Sequence, residues 1–355
     1  MNSKYRFIPD VNTGFLSDDD TKKYISRAAC AILALEVVSY AAARLIAAII
    51  VTIVNVFAPE LMNSADFLAI ADNSLSILAI YAIATPAFLL IISPLPKISP
   101  FKEKLSAGAF IGGLCVCFFA MMLGNSLSSY VVTFISSLGG TDLTNPVTEM
   151  LGQANSIWID IVFIAILVPI LEELVFRKLL CDRLLPLGEG YAILLSAMIF
   201  GLSHGNFFQF FYAFLVGLVF GLIYVKTGKL IYTIIYHAII NFSSGVLGVW
   251  LESRIDYEQI EQILASLDIE NPDPEQMIPV VEQLLPLALL NCVIIGLSIA
   301  GAIIFIKALK KKKISLESGI LPPPKKGRVA NVMCTVGTAA LVTVYVILFI
   351  ISIMP

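Results

Sequence analysis

Residues 156–177 read SIWIDIVFIAILVPILEELVFR, an apolar stretch that ends in Glu172, Glu173 and Arg177. About 20 apolar residues let a helix cross the ~30 Å hydrocarbon layer of a bilayer. A charge inside that layer costs roughly 2.5–3.5 kcal/mol on insertion scales. Charges at this place therefore need partners within a helical bundle, or an internal water. Two further clusters of the same kind lie downstream. They contain both histidines of the chain, in Phe200-Gly-Leu-Ser-His204 and His237-Ala-Ile-Ile-Asn241.

The composition makes the membrane setting general. Hydrophobic residues form 58% of the chain, charged residues 14%, and the mean hydropathy is +0.90. A soluble domain has about 45–50% apolar and about 25% charged residues, so a soluble globular protein is excluded. A net charge of −3 carries no argument for nucleic acid. The six cysteines (Cys30, Cys115, Cys117, Cys181, Cys292 and Cys334) lie in or at the ends of apolar stretches without metal-ligand spacing. They read as small hydrophobes.

Working outward from 156–176, nine apolar windows can be marked: 28–57, 75–93, 106–136, 156–176, 190–206, 208–225, 230–250, 280–306 and 331–354. With the amino terminus in the cytoplasm, the inner segments hold 21 of the 23 basic residues; Arg44 and Arg254 are the exceptions. The positive-inside rule thus sets the orientation. The expected fold is an all-α polytopic membrane helix bundle of eight to nine transmembrane helices with a cytoplasmic N-terminus, in a prokaryotic plasma membrane. Residues 1–27 read as a polar cytoplasmic segment rather than a signal peptide, and 28–250 as the bundle, with its core at 156–250. Residues 280–355 read as two C-terminal transmembrane helices.

Two connecting segments have their own character. In the acidic outer loop 251–279, Ile260, Ile263, Leu264 and Leu267 share one helical face. That predicts an amphipathic helix lying on the membrane or covering the outer mouth of the bundle. The linker 307–330, with its Lys310–Lys313 run, reads as a solvated cytoplasmic strand resting on anionic lipid. Glu36 and Arg44, ~12 Å apart on one face of the first span, await partners inside the bundle.

Helical spacing distributes the three clusters. Adjacent Glu172 and Glu173 point about 100° apart, so only one can face a cavity centre. Arg177 is i+4 from Glu173 and pairs naturally with it, leaving Glu172 free. Pro169 removes a backbone bond to Ala165 and predicts a bend. His237 and Asn241, one turn apart, project from one face. Each cluster alone has a plainer explanation: a helix-end anchor, a buried hydrogen-bonded histidine, or an interhelical His–Asn bond. Their concentration on spans close in sequence favours a catalytic or transport centre. One tension remains in depth. His204 is ~21 Å from the start of its span, whereas Glu172 and His237 lie ~8–12 Å from the inner ends of theirs. The fifth span must tilt or begin below the membrane plane.

The ordered trio Glu-Glu-x-x-x-Arg, Phe-x-x-x-His and His-x-x-x-Asn on successive membrane helices resembles the CPBP family (CAAX proteases and bacteriocin-processing enzymes, also called Abi), which includes the Ras-converting CAAX endopeptidase. The resemblance covers about residues 156–250 and implies an intramembrane glutamic endopeptidase. It implies that Glu172 and His204 activate a water, that His237 and Asn241 stabilise the oxyanion, and that Glu173, Arg177 and Phe200 support them. No cofactor is implied. Zinc on His204, His237 and Glu172 is the alternative, since a His₂Glu site is chemically possible. The implied partners are membrane lipids and a peptide or protein substrate, membrane-associated: a prenylated tail, a bacteriocin or pheromone precursor, or an anti-sigma-type membrane protein. Because Glu172 and His237 lie nearer the inner face, the cavity is expected to open toward the cytoplasm. A non-enzymatic scaffold or bacteriocin-immunity protein and a proton-coupled transporter are the other readings.

Overall fold

The computed structural model describes residues 14–101, 103–139, 143, 145, 156–266, 274–311 and 314–354. The described residues are helical throughout apart from connecting turns, with no strand beyond an isolated Gly188–Ser318 bridge. Eleven helices are labelled here: α1 Asp18–Phe57, α2 Ala65–Ile92, α3 Ala107–Gly139, α4 157–184, α5 Glu189–Leu202, α6 Phe207–Thr227, α7 Leu230–Glu252, α8 Tyr257–Ser266, α9 Ile278–Lys310, α10 Arg328–Met333 and α11 Val336–Ile351. Among the described residues, six are long and apolar enough to cross a membrane: α1, α2, α3, α6, α7 and α9. The apolar helices α5 and α11 are shorter, and α4 carries Asp160, Glu172, Glu173 and Arg177. Aliphatic side chains such as Leu45, Leu90, Val293 and Ile299 stand more than half exposed along these helices, as a lipid-facing surface requires. The protein is an integral multi-pass membrane protein.

Helix α3 is the centre of the packing, with α6 on one side and α9 on another. Close approach depends on glycine: a Cβ on Gly124 would collide with the backbone of Tyr212 in α6, and one on Gly301 with the Cys115 carbonyl in α3. Without a hydrophobic force between helices in lipid, such small-residue contacts provide the packing. Helix α1 packs against α2 and α11. It starts ten residues before its apolar window, because Ser17 caps it by accepting from the Asp20 amide and Asp18–Asp20 suit the positive end of the helix dipole. Glu36 finds a partner in α11, the Tyr345 hydroxyl at 2.9 Å. Arg44 remains exposed over the Tyr40 ring rather than inside the bundle.

Both connecting segments are tied to the bundle by contacts that the sequence did not announce. Residues Tyr257–Ser266 form the expected helix, α8, and it is anchored to the bundle. Ile260 is buried with Ile255 and Val280, so α8 docks on the start of α9, and Gln283 fixes it through Gln259 and the Asp256 amide. Leu267 lies outside the described residues. Within the linker, residues 314–327 are largely exposed, as a solvated linker would be, but are also strapped to the bundle. The Leu321 amide donates to the Pro186 carbonyl, the Leu16 amide to Pro322, and the Glu317 amide to the Glu189 carboxylate, with the Leu321 side chain buried. Backbone bonds to the 185–189 turn hold it there. All six cysteines are free thiols.

Candidate active site

Helix α4 is a hybrid. Residues Ile161–Leu167 and Leu174–Cys181 are π-helical, and between them Val168–Glu173 is α-helical. Pro169, where a bend is expected, falls at this change of pitch. The Val168 amide reaches back five residues to the Phe163 carbonyl, so the turn before the proline is widened. Single π turns inside helices are frequent at functional sites because they re-aim side chains. Here they bracket the two carboxylates. Glu173 points into protein: its Oε2 is 3.1 Å from Arg177 Nε, with both side chains wholly buried. The Arg177 guanidinium also lies over the rings of Phe200 and Phe220, at 4.8 and 5.6 Å from their centroids. Glu172 turns the other way, 21% exposed, into a cavity.

His204 is not within a helix. Helix α5 ends at Leu202, and His204 sits in the turn to α6, where Gly205 takes φ +66°. Its Nδ1–H donates to the Phe200 carbonyl at 2.8 Å, one of the carbonyls left free at the helix end. A carbonyl can only accept, so Nδ1 holds a proton, and in the neutral imidazole Nε2 then keeps its lone pair. Asn206 locks the turn: its amide donates to the His204 carbonyl at 2.7 Å, and its oxygen caps α6 by accepting from the Gln209 amide at 2.9 Å. The depth tension resolves here. Helix α4 runs on to residue 184, which sets Glu172 ~18 Å from its inner end, close to the ~21 Å rise of the 14-residue α5, and Glu189 at the start of α5 is paired with Lys226 at the end of α6. The hairpin starts at the basic face and ends inside the bundle.

From α7, His237 contributes a ring that faces both carboxylates, with Nδ1 3.3 Å from Glu173 and Nε2 3.6 Å from Glu172. Phe200 and Phe220 hold the ring edge-on and tilted, at 5.7 and 5.4 Å between centroids. Asn241 lies one turn on, where α7 becomes π-helical over Asn241–Leu247. Its Nδ2 donates to the Ile164 carbonyl of α4 at 3.1 Å. An amide nitrogen has two hydrogens, so one N–H anchors the side chain and one remains for a ligand.

Glu172, Phe200, His204, His237 and Asn241 line one cavity of ≈ 1020 Å³. Its direction corrects the sequence expectation. From these residues the walls run past Asn291, midway along α9, to Asp72, Thr133 and Glu252, all exposed and in the parts of α2, α3 and α7 away from the basic residues. The basic face beneath is shut. There Asp182 binds Lys178 Nζ at 2.7 Å, the Tyr224 hydroxyl at 2.7 Å and the Ser99 hydroxyl at 2.9 Å. Distance to the nearer helix end suggested a cytoplasmic opening, yet the helices part on the other side. Among the described residues, no three His, Cys, Asp or Glu side chains converge as a metal-binding group.

Sequence reasoning missed Phe220, Asn206 and Thr233. Thr233 is buried beside Glu173 and lies four residues before His237, so the i, i+4 rule already placed it on that face. Phe220 and Asn206 carried no such signal.

Residues 154–243 match the family model described as "Type II CAAX prenyl endopeptidase Rce1-like". The chain carries an Rce1-like domain. The matched residues include every member of the three clusters, so the resemblance to CPBP proteins holds over this core. The chain is also similar to the "Membrane-embedded CAAX protease MroQ" of Staphylococcus aureus (strain USA300), with 31% identity over 147 residues. That stretch is 39% of this chain and spans 57% of the relative's length. No solved structure matches the chain. The Rce1-like domain ends within α7, so α1 to α3 and α8 to α11 lie outside it.

Proposed function

We propose that the Rce1-like domain is an intramembrane endopeptidase that hydrolyses an internal peptide bond with an activated water. The observation that carries this is the meeting of Glu172, His204, His237 and Asn241, from α4, the α5–α6 turn and α7, on one cavity. In this mechanism a water held between Glu172 and the His204 Nε2 lone pair loses a proton as it attacks the scissile carbonyl. General-base assistance of this kind contributes about 10²–10⁴-fold. The developing oxyanion accepts from the free N–H of Asn241 and from His237, a role worth about 2.7–4 kcal/mol per donor. The tetrahedral intermediate collapses as the proton passes to the leaving amine. Glu173 is a positioning residue: it engages His237 Nδ1 from behind and is itself held by Arg177. No metal takes part in this scheme.

The substrate is a membrane-associated or precursor peptide. Incubating the purified chain with a precursor library, beside its Glu172→Gln variant, tests the reading. New peptide termini seen by mass spectrometry with the wild type alone support it. Identical peptides in both samples overturn it.

A further inference from the structure

The cavity says what kind of peptide it takes; this step rests on the endopeptidase reading. Three carboxylates line it, Glu172 at the base and Asp72 and Glu252 at the mouth, and no Lys or Arg does among the described residues. The field around the mouth has the same sign. Among the described residues of 58–74 and 251–279, on that side, there are eight Asp and Glu (Glu60, Asp66, Asp72, Glu252, Asp256, Glu258, Glu261 and Glu275) and one basic residue, Arg254. A cleft lined by one charge sign within low-dielectric walls focuses its field and concentrates the opposite charge.

A second observation points to a ligand in the same space. Ser128 of α3 is 4% exposed, lines the wall between base and mouth, and its hydroxyl has no hydrogen-bond partner among the described residues. A buried polar group left unpaired is costly; the oxygen itself is closed off from the cavity, and a turn of the serine about χ1 would bring it to a peptide backbone threaded past. Asn125 and Asn291 supply further donors and acceptors on the wall.

We infer that the cavity admits a cationic, extended peptide segment from the acidic face, with its basic side chains at Asp72 and Glu252 and an internal bond at Glu172. The same features exclude a free C-terminal carboxylate. A C-a-a-X tail bears that carboxylate three residues from its modified cysteine. Bound for cleavage beside the cysteine, it would place a second negative charge in a cavity that offers Glu172 and no cation. The Rce1-like domain in this chain is therefore turned to internal sites in basic peptides.

The test uses the full chain in nanodiscs of zwitterionic lipid. Fluorescent peptides share one neutral core, flanked by Lys-Lys, Ser-Ser or Glu-Glu as C-terminal amides, with the neutral core also made as the free acid. Dissociation constants are read by anisotropy on Glu172→Gln protein, which binds without cleaving. The Lys-flanked peptide should bind about tenfold or more tightly than the Glu-flanked one. Adding Asp72→Asn and Glu252→Gln, both at exposed positions, should shrink that difference to about twofold. Equal or tighter binding of the Glu-flanked or free-acid peptide overturns the proposal, as does a preference that survives the double substitution. With Glu172 intact, the same double substitution should raise KM for the Lys-flanked peptide at unchanged kcat; a fall in kcat at unchanged KM also overturns it. Charge-ordered binding with no cleavage of any peptide defeats the hydrolytic reading and leaves the selectivity standing.

Discussion

Asn241 donates to the main-chain carbonyl of Ile164, and this 3.1 Å bond ties α7 to the π-helical part of α4. It holds the amide at the cavity wall, with a second N–H left for a ligand. A donor held before the reaction begins acts on the transition state rather than on the bound substrate. Asn241→Ala should lower kcat by about 10²–10³-fold with little change in KM. Steady-state kinetics on one peptide check this. A raised KM at unchanged kcat would make Asn241 a substrate anchor instead.

Glu172 and Glu173 are neighbours with opposite environments, and their substitutions should separate accordingly. Glu172→Gln keeps the shape of a partly exposed side chain and removes the base, so turnover should vanish while the melting temperature in detergent hardly moves. Glu173→Gln leaves the Arg177 charge buried without its partner, which costs about 3–5 kcal/mol. Adding Arg177→Met should recover much of that stability, since replacing both members of a buried pair is often neutral. Thermal unfolding of the four proteins decides it. Equal destabilisation by Glu172→Gln would refute the division of roles.

The bundle and its polar clusters were legible because burial in hydrocarbon makes each polar residue costly. Glu172, Glu173, His204 and His237 stand out against their apolar neighbours for that reason alone. The i+4 rule also placed Arg177 on Glu173. What was not legible has physical reasons too. The π-helical turns of α4 and α7 have no residue signature. The strap at 314–327 is held by main-chain bonds to Pro186 and the Glu189 side chain, which no periodicity announces. The direction of the cavity depends on where α2, α3, α7 and α9 part, and one-dimensional distance from a helix end does not contain that.

The orientation of the whole bundle is open to a direct check. In the predicted topology the acidic face is extracytoplasmic, and with it the cavity mouth. Ser266 in α8 and Ser318 in the strap are both exposed and lie on opposite faces. With Cys292 and Cys334 changed to serine, an impermeant thiol reagent on intact cells should label Ser266→Cys and spare Ser318→Cys. The reverse pattern would put the mouth in the cytoplasm and overturn the orientation.

Metal dependence distinguishes the water-activation scheme from its zinc alternative. If Glu172 and His204 suffice, prolonged 1,10-phenanthroline should leave turnover unchanged within the scatter of the assay. Stoichiometric zinc in purified protein, with activity lost on stripping and regained on readdition, would replace the glutamic scheme.

Asn206 does two separable things for His204. Its oxygen caps α6, and its nitrogen donates to the His204 carbonyl and to Gln209. Asn206→Ala loses both, so it should cost about 0.5–2 kcal/mol of stability, as N-cap deletions do, and also loosen the turn that aims Nε2. Asn206→Asp keeps the capping oxygen but has no hydrogen to give the His204 carbonyl, now facing it oxygen to oxygen. That repulsion at a buried position costs stability as well, so the deciding readout is kcat, which should fall in the folded protein because a small misplacement of a catalytic group is expensive in rate. Peptide binding to the variant should be unaltered. If Asn206→Asp is fully active, the His204 carbonyl bond is structural only, and the aim of the imidazole comes from the Phe200 carbonyl alone.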